Sequence, residues 1–161
     1  MNKFKPVIVI ISWILVVATM VTIAFFSLQN GKESTQTSNK VTEVIIPNED
    51  NVSYEGMKAL TTITRKTAHF CIYMLLGLLV FSAFYFSLQI WAPQLQILSF
   101  SLVLLYSIID EYIYQAITPG RMPSALDIII DMSGALIGII VLSLIIIIIK
   151  YIKKRKKEIS L

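Results

Sequence analysis

Four long stretches of almost continuously apolar residues dominate the chain, at 7–28, 68–91, 95–117 and 125–149. About 20 apolar residues in a row allow a helix to cross the hydrocarbon core of a bilayer. Because lipid offers no hydrogen-bond partner to backbone groups, each stretch must be a helix rather than an open strand. The pattern therefore predicts an all-α, polytopic membrane protein with four transmembrane helices in a small bundle.

Polar residues fill the long connection 29–67 and the tail 150–161. The connection mixes both charges with many Ser, Thr and Asn residues, which is typical of a flexible segment. Six basic residues crowd the tail, and Lys or Arg next to a span marks the cytoplasmic side. Lys3 and Lys5 agree with this, so we expect a multi-pass cell-membrane protein with both termini cytoplasmic and the connection 29–67 outside.

The composition narrows the classes of function. A mean hydropathy of +0.75 over 161 residues leaves no room for a soluble catalytic domain, so we expect one membrane domain over 1–161. The net charge of +4 comes from the tail and does not indicate nucleic-acid binding. The single cysteine, Cys71, forms neither an intrachain disulfide nor a zinc site. We expect the lipid bilayer as partner, no nucleic acid, no cofactor and no metal.

Ionisable residues interrupt the second half of the chain. Asp110 and Glu111 lie in the third apolar stretch, Asp127 and Asp131 in the fourth, and Arg121 on the turn between them. Such residues are costly in a membrane and usually mark function. With a rise of 1.5 Å per residue, the four acids fall near the outer boundary of the bilayer. His69 of the second stretch reaches the same depth, which predicts one polar pocket at the extracytoplasmic end.

Helical spacing predicts which faces meet. Asp127, Asp131, Gly134 and Gly138 share one stripe, and the GxxxG pair allows a second helix to approach closely. We expect that stripe to be buried and the opposite residues to face lipid. His69, Tyr73 and Gly77 line up at spacings of four on the second helix. The residues expected to face lipid are Ile128, Ile129, Ile139 and Ile140.

We assign acid–base chemistry to His69, Glu111 and Asp131, because imidazole titrates near neutrality and a buried acid can donate a proton. The planar fork of Arg121 suits a phosphate or carboxylate. The structural alternatives are a histidine bonded to Asp110, Glu111 or a carbonyl, an arginine paired with Asp127 or Glu111, and Asp127 as the cap of the last helix. The side chains expected to complete a ligand site beside Arg121 are Asp110, Gln115 and Asp127.

These motifs resemble the VanZ-like family of small bacterial membrane proteins. The resemblance includes an R-K-x-x-H-F helix start, which adds Lys66 to the expected ligand-binding residues, and a D-E…Q…P-G-R…D…[ND]-x-x-G-x-x-x-G pattern. Gln115 follows Glu111 by four residues rather than the family's three, and a one-residue helical bulge would absorb the difference. The matched residues are Arg65, Lys66, His69, Phe70, Asp110, Glu111, Gln115, Pro119, Gly120, Arg121, Asp127, Asp131, Gly134 and Gly138.

The resemblance implies a role in the bacterial cell envelope, with resistance to teicoplanin-type glycopeptide antibiotics as one form of it, and it implies no particular reaction. Three functions stay open. The pocket binds or acts on a lipid-linked cell-wall precursor or other anionic envelope group. Alternatively, the polar cluster only locks the helices of a structural or partner-binding protein. The third is a proton or ion carrier, and the scarcity of polar residues in the inner half of the spans argues against it.

Overall fold

The structure, a computed structural model, describes residues 5–45, 53–88, 90 and 92–159, and all the elements found there are helical. A π-helical segment directly continues the fourth α-helix. The connection residues 46–52, the predicted end of the second span at Trp91 and the last two residues of the tail lie outside the described residues. The elements are α1 (Lys5–Ser27), α2 (Gly31–Ile45), α3 (Tyr54–Ser87), α4 (Ala92–Ile109), the π-helical segment (Asp110–Gln115) and α5 (Ala125–Ile159).

Four of the described helices are long and apolar enough to cross a membrane, which confirms the predicted number. They are Pro6–Ser27 of α1, Tyr54–Ser87, Ala92–Gln115 and Ala125–Ile159. The helices α3 and α5, with 34 and 35 residues, each extend for about 50 Å, whereas a hydrocarbon core is about 30 Å thick. Each of these two helices therefore continues well beyond one surface of the membrane.

The flexible connection predicted for 29–67 is wrong over most of its length, because α2 and the first turns of α3 occupy it. The start of α2 is a reciprocal capping box: Asn30 Oδ1 accepts from the Glu33 N–H at 2.9 Å, and the Asn30 N–H donates to Glu33 Oε2 at 3.4 Å. These bonds satisfy backbone groups that a helix start leaves unpaired.

The buried face of α2 consists of small hydroxyl residues spaced four apart, Ser34, Ser38 and Thr42. The Thr42 hydroxyl contacts the Thr64 hydroxyl of α3 at 3.0 Å. The helix is therefore amphipathic in its contacts, although its sequence is polar all round.

The spans alternate in direction. Trp13 near the start of α1 donates to Ser87 Oγ at the end of α3 at 3.0 Å, so these helices are antiparallel. Gln96 of α4 donates to Ser143 Oγ of α5 at 2.8 Å, which shows a second antiparallel pair. The start of α1 and the point where α5 reaches its basic end consequently lie at the same end of the bundle.

The closest helix contact joins α3 and α5, which run parallel. A Cβ atom at Gly134 or Gly138 would overlap the carbonyl oxygens of Phe70 or Met74, and one at Gly77 would lie 2.5 Å from the Ala135 oxygen. Only glycine permits this backbone approach, as the GxxxG spacing predicts. The predicted burial of the stripe holds for Asp131, Gly134 and Gly138, whereas Asp127 at its outer end is only partly buried.

The lipid-facing prediction for α5 holds only in part. Ile129 and Ile140 are exposed, but Ile139 is buried against Phe81 and Leu95, and Ile128 is half-buried against the core. The reason is that α5 packs against both α3 and α4, so its buried face is wider than the glycine stripe.

Candidate functional site

Polar groups from several helices meet at the end of the bundle opposite the basic tail. The acids Asp110, Glu111 and Asp131 are fully buried there, and Gln115 is 5% exposed. They lie on the π-helical segment and the second turn of α5, beside the middle of α3. The predicted convergence of residues distant in the chain is therefore present in the structure.

Asp131 is the centre of a fully bonded group. Its Oδ1 lies 3.2 Å from His69 Nδ1, and its Oδ2 accepts from the Ser107 hydroxyl at 2.9 Å. Helices α3, α4 and α5 are thus joined through one carboxylate. Sequence reasoning missed Ser107, although its spacing of four from Glu111 and its hydroxyl in an apolar helix were visible signals.

Asp110 has one bonded and one unbonded oxygen. Oδ2 accepts from the Tyr73 hydroxyl at 3.2 Å, whereas Oδ1 is buried and accepts no hydrogen bond from the described residues. A buried polar atom without a partner is rare and needs an explanation. His69 and Tyr73, which the spacing placed on one face of the helix, thus contact different acids, Asp131 and Asp110.

The extra residue between Glu111 and Gln115 is accommodated by the π-helical segment, as the bulge prediction requires. In this geometry the Gln115 amide donates to Glu111 Oε2, and Glu111 Oε1 accepts from the Ser124 backbone N–H at 2.7 Å. The Ser124 hydroxyl in turn accepts from the Asp127 N–H at 3.3 Å and caps α5. Glu111 therefore ties the π-helical segment to the start of α5, and it does not bond His69 or Asp131.

Arg121 is held on a turn against α1 and α2. Gly120 has a φ of 77°, and the turn lies close to Gly31, whose N–H donates to the Pro119 carbonyl at 3.1 Å. The Arg121 guanidinium donates through one nitrogen to the Phe26 carbonyl at 3.0 Å and to Ser34 Oγ at 2.7 Å. The alternative pairing of Arg121 with Asp127 or Glu111 is not observed.

The charge on Arg121 is incompletely compensated. Its Nε is buried and donates to no acceptor among the described residues. Burial lowers the pKa of Arg121, as does the nearby charge of Arg65, while Asp110, Glu111 and Asp127 act in the opposite direction. The group stays protonated, because arginine keeps its charge in proteins.

Asp127 pairs with the basic residues at the α3 motif instead. Its carboxylate lies 3.7 Å from Lys66 Nζ and 3.9 Å from an Arg65 nitrogen. These contacts are long and partly exposed to solvent. Arg65 was matched only as a motif residue and not assigned to the site, although its place one helical turn before His69 was a signal.

Three adjoining cavities surround these residues. One of about 230 Å³ lies beneath α2 and is lined by Arg65, His69 and Arg121. A polar one of about 250 Å³ at the turn is lined by Arg65, Arg121, Gln115 and Asp127. A groove of about 400 Å³ between α1 and α3 also reaches His69. His69 and the two arginines are therefore accessible to a ligand, whereas Asp110, Glu111 and Asp131 are buried behind them.

The accessible side chains of the site include one histidine and two arginines, and the fully buried acids lie behind them. Over the described ranges, no three His, Cys, Asp or Glu side chains are grouped closely enough to hold a metal ion. In the structure His69 contacts Asp131 directly. Lys66 pairs with Asp127, whereas Arg121 bonds Phe26 and Ser34.

Comparison with known proteins agrees with the motif analysis. No curated protein and no solved structure matches the chain. The sequence model of the VanZ/LLP1 family matches residues 12–148, a range that contains all the residues of the candidate site. The resemblance noted from the motifs is thereby confirmed, and the chain belongs to the VanZ/LLP1 family.

Proposed function

We propose that the protein works in the bacterial cell envelope and binds an anionic, lipid-linked group in a pocket that faces the outside. The observation that carries this proposal is the buried Nε of Arg121, which has no acceptor among the residues that the structure describes and belongs to a side chain lining two cavities. A carboxylate or phosphate suits such a guanidinium. The orientation follows from the basic tail at the opposite end of the bundle, which marks the cytoplasmic side.

The His69–Asp131 pair extends the proposal from binding to chemistry. A carboxylate that bonds one ring nitrogen fixes the imidazole and leaves the other nitrogen for a substrate. Nδ1 faces Asp131, and no hydrogen bond from the described residues engages Nε2. Because His69 lines the cavity beneath α2, it is the residue placed to exchange a proton with a bound ligand. Glu111 acts in this proposal by positioning the start of α5.

A structural role is the second candidate, and a specific observation favours it. Asp131 joins three helices through His69 and Ser107 with both carboxylate oxygens bonded. Polar residues buried between membrane helices stabilise their association. If the cluster had only this structural role, substitutions in it would lower the abundance of the protein, and any loss of activity would follow from the lower abundance.

Tolerance to teicoplanin-type drugs tests the proposal. Expression in a susceptible Gram-positive host should raise tolerance, and Arg121→Ala and His69→Ala should abolish the gain because they remove the anion partner and the proton carrier. Ser133→Ala is the matched control, since Ser133 is exposed and its hydroxyl bonds only the Ile129 carbonyl of its own helix. Drug tolerance and membrane abundance are measured together.

Two outcomes contradict the proposal. Unchanged tolerance in both site variants would remove the pocket from function. Loss of tolerance only in proportion to lost abundance would favour the structural role.

A further inference from the structure

The groove between α1 and α3 opens on the lipid-facing side of the bundle and has mostly apolar walls. Its volume is about 400 Å³. Leu75 and Phe26 on its walls are exposed at 44% and 47%, so the groove is a surface channel rather than a closed cavity. The remaining lining residues are Thr22, Ile23, Ser27, Ala68, His69, Cys71 and Ile72.

The groove leads directly to positive charge. Phe26, Ala68 and His69 line both the groove and the cavity of about 230 Å³ beneath α2. Arg65 and Arg121 line that second cavity and also the polar one at the turn. A path therefore runs from the lipid-facing surface, past His69, to two guanidinium groups.

The two arginines are poorly supplied with anions. Within the described part of the chain, Arg121 uses one nitrogen for neutral acceptors and leaves Nε unbonded, and the one ion pair of Arg65 there is with Asp127, at 3.9 Å. Like charges held near each other repel, and an anion between them would convert the repulsion into attraction. Carboxylate and phosphate oxygens both suit guanidinium groups, and a phosphate monoester offers three acceptor oxygens, enough for both arginines and His69.

We propose that the protein binds a phosphate ester of a single long hydrocarbon chain that enters sideways from the membrane. The chain occupies the α1–α3 groove, and the phosphate lies between Arg65 and Arg121 with an oxygen near His69. This inference rests on the proposed function and deepens it, because it assigns the ligand class, the entry route and a new binding residue, Arg65.

The dimensions and the charges together select this class of ligand. A water-soluble anion would leave the apolar groove unused, and a neutral lipid would leave the arginines unpaired. The cavity that holds Arg65 and Arg121 adjoins the apolar groove through Phe26, Ala68 and His69, so a charged head and a hydrocarbon chain can be bound together. A larger group on the phosphate would extend through the adjoining polar cavity at the turn.

The single cysteine supplies the test, because Cys71 lines the groove and no other thiol competes. The full chain is purified in dodecyl maltoside, which carries no phosphate, and the alkylation rate of Cys71 by N-ethylmaleimide is measured. Dodecyl phosphate should slow the alkylation, whereas dodecanol and inorganic phosphate at equal concentration should not. Dodecanol protecting equally would overturn the proposal, since the arginines would then have no role.

Charge variants test the proposed phosphate-binding site between Arg65 and Arg121. Arg65→Gln and Arg121→Gln should each raise the dodecyl phosphate concentration needed for half-protection by about tenfold or more, as loss of a charge-assisted hydrogen bond predicts. Arg155→Gln on the remote basic end is the matched control. Arg65 is partly exposed, with a 44% exposed side chain, so its variant folds even if Arg121→Gln does not.

A groove-filling variant separates this inference from the proposed function. In Cys71→Trp, retention of radiolabelled dodecyl phosphate should fall about tenfold, and Leu136→Trp on the lipid-facing side of α5 should retain it fully. A different result would overturn lateral lipid entry and leave the proposed pocket intact. In that result radiolabelled inorganic phosphate binds in an Arg121-dependent way, Cys71→Trp does not reduce this binding, and dodecyl phosphate does not slow the alkylation of Cys71. No arginine-dependent binding of either probe would overturn both.

Discussion

The polar end of the bundle has two sides that differ in how completely their polar groups are satisfied. The closed side, formed by His69, Ser107, Asp131, Gly134 and Gly138, joins α3 to α4 and α5 by hydrogen bonds and backbone contact. The open side, formed by Phe26, Arg65, Ala68 and Arg121, borders cavities and contains a buried nitrogen that finds no acceptor in the described part of the chain. His69 bonds Asp131 on the closed side and lines the cavities of the open side.

The difference separates stability from binding. A fully bonded buried carboxylate fixes helices, and removing one of its partners leaves an uncompensated group at high cost. A charged group left without a partner contributes little to folding, but it is ready to bind a ligand. Variants of the closed side should therefore lose the fold, and variants of the open side should lose binding.

The largest expected effect is from Gly138→Leu. The new side chain would overlap the Met74 carbonyl, and backbone cannot move aside as a flexible side chain can, so we expect a loss of about 4 kcal/mol or more of unfolding free energy. Thermal unfolding in detergent measures the loss. Ala68→Leu, at an exposed position on the open side, is the control and should unfold near the wild-type temperature. A Gly138→Leu protein as stable as the control would refute the close contact of α3 and α5.

A smaller effect on unfolding free energy is expected from substitutions of the polar side chains themselves. Asp131→Ala removes the acceptor of both His69 and Ser107 and should cost about 3 kcal/mol, because the two partners stay buried without it. Arg121→Gln removes the hydrogen bonds to Phe26 and Ser34 and should cost about 1 kcal/mol, less than Asp131→Ala, while it loses ligand binding. Parallel melting curves of the two variants supply the comparison. Equal stability losses in both would show that the two sides do not differ.

The close approach of another helix to the glycines of α5 and the bulge after Glu111 could be predicted because their signals are local. Two glycines four apart allow close approach wherever the helix packs, and a bulge absorbs the one residue more than the family spacing between Glu111 and Gln115; neither signal identified α3 as the partner. Depth predicted that His69 would meet acids of other helices, because the membrane fixes how far along a helix each residue lies. It did not identify the partner, which is Asp131 rather than the expected Asp110 or Glu111.

The parts that could not be predicted depend on which helix covers which face. The polarity of residues 29–67 suggested a flexible segment. The capping box and the hydroxyl contacts with α3, which are visible only in the structure, show why α2 forms. Arg121 was expected to pair with an acid, but the turn directs it to Phe26 and Ser34, and Asp127 goes to Lys66 and Arg65. Ile139 is buried because α4 covers a face of α5 that the glycine stripe does not mark.

The smallest expected effect concerns Lys66, which lies at the border of the two sides. Its ammonium is 3.7 Å from Asp127, and its side chain is 37% exposed, so water and salt screen the pair. Lys66→Ala should cost less than about 1 kcal/mol, and the difference from wild type should shrink as salt is raised. Thermal unfolding at low and high salt measures both. A salt-independent loss of several kcal/mol would assign Lys66 to the closed side, and would make Asp127 a structural acid rather than a residue of the cavity.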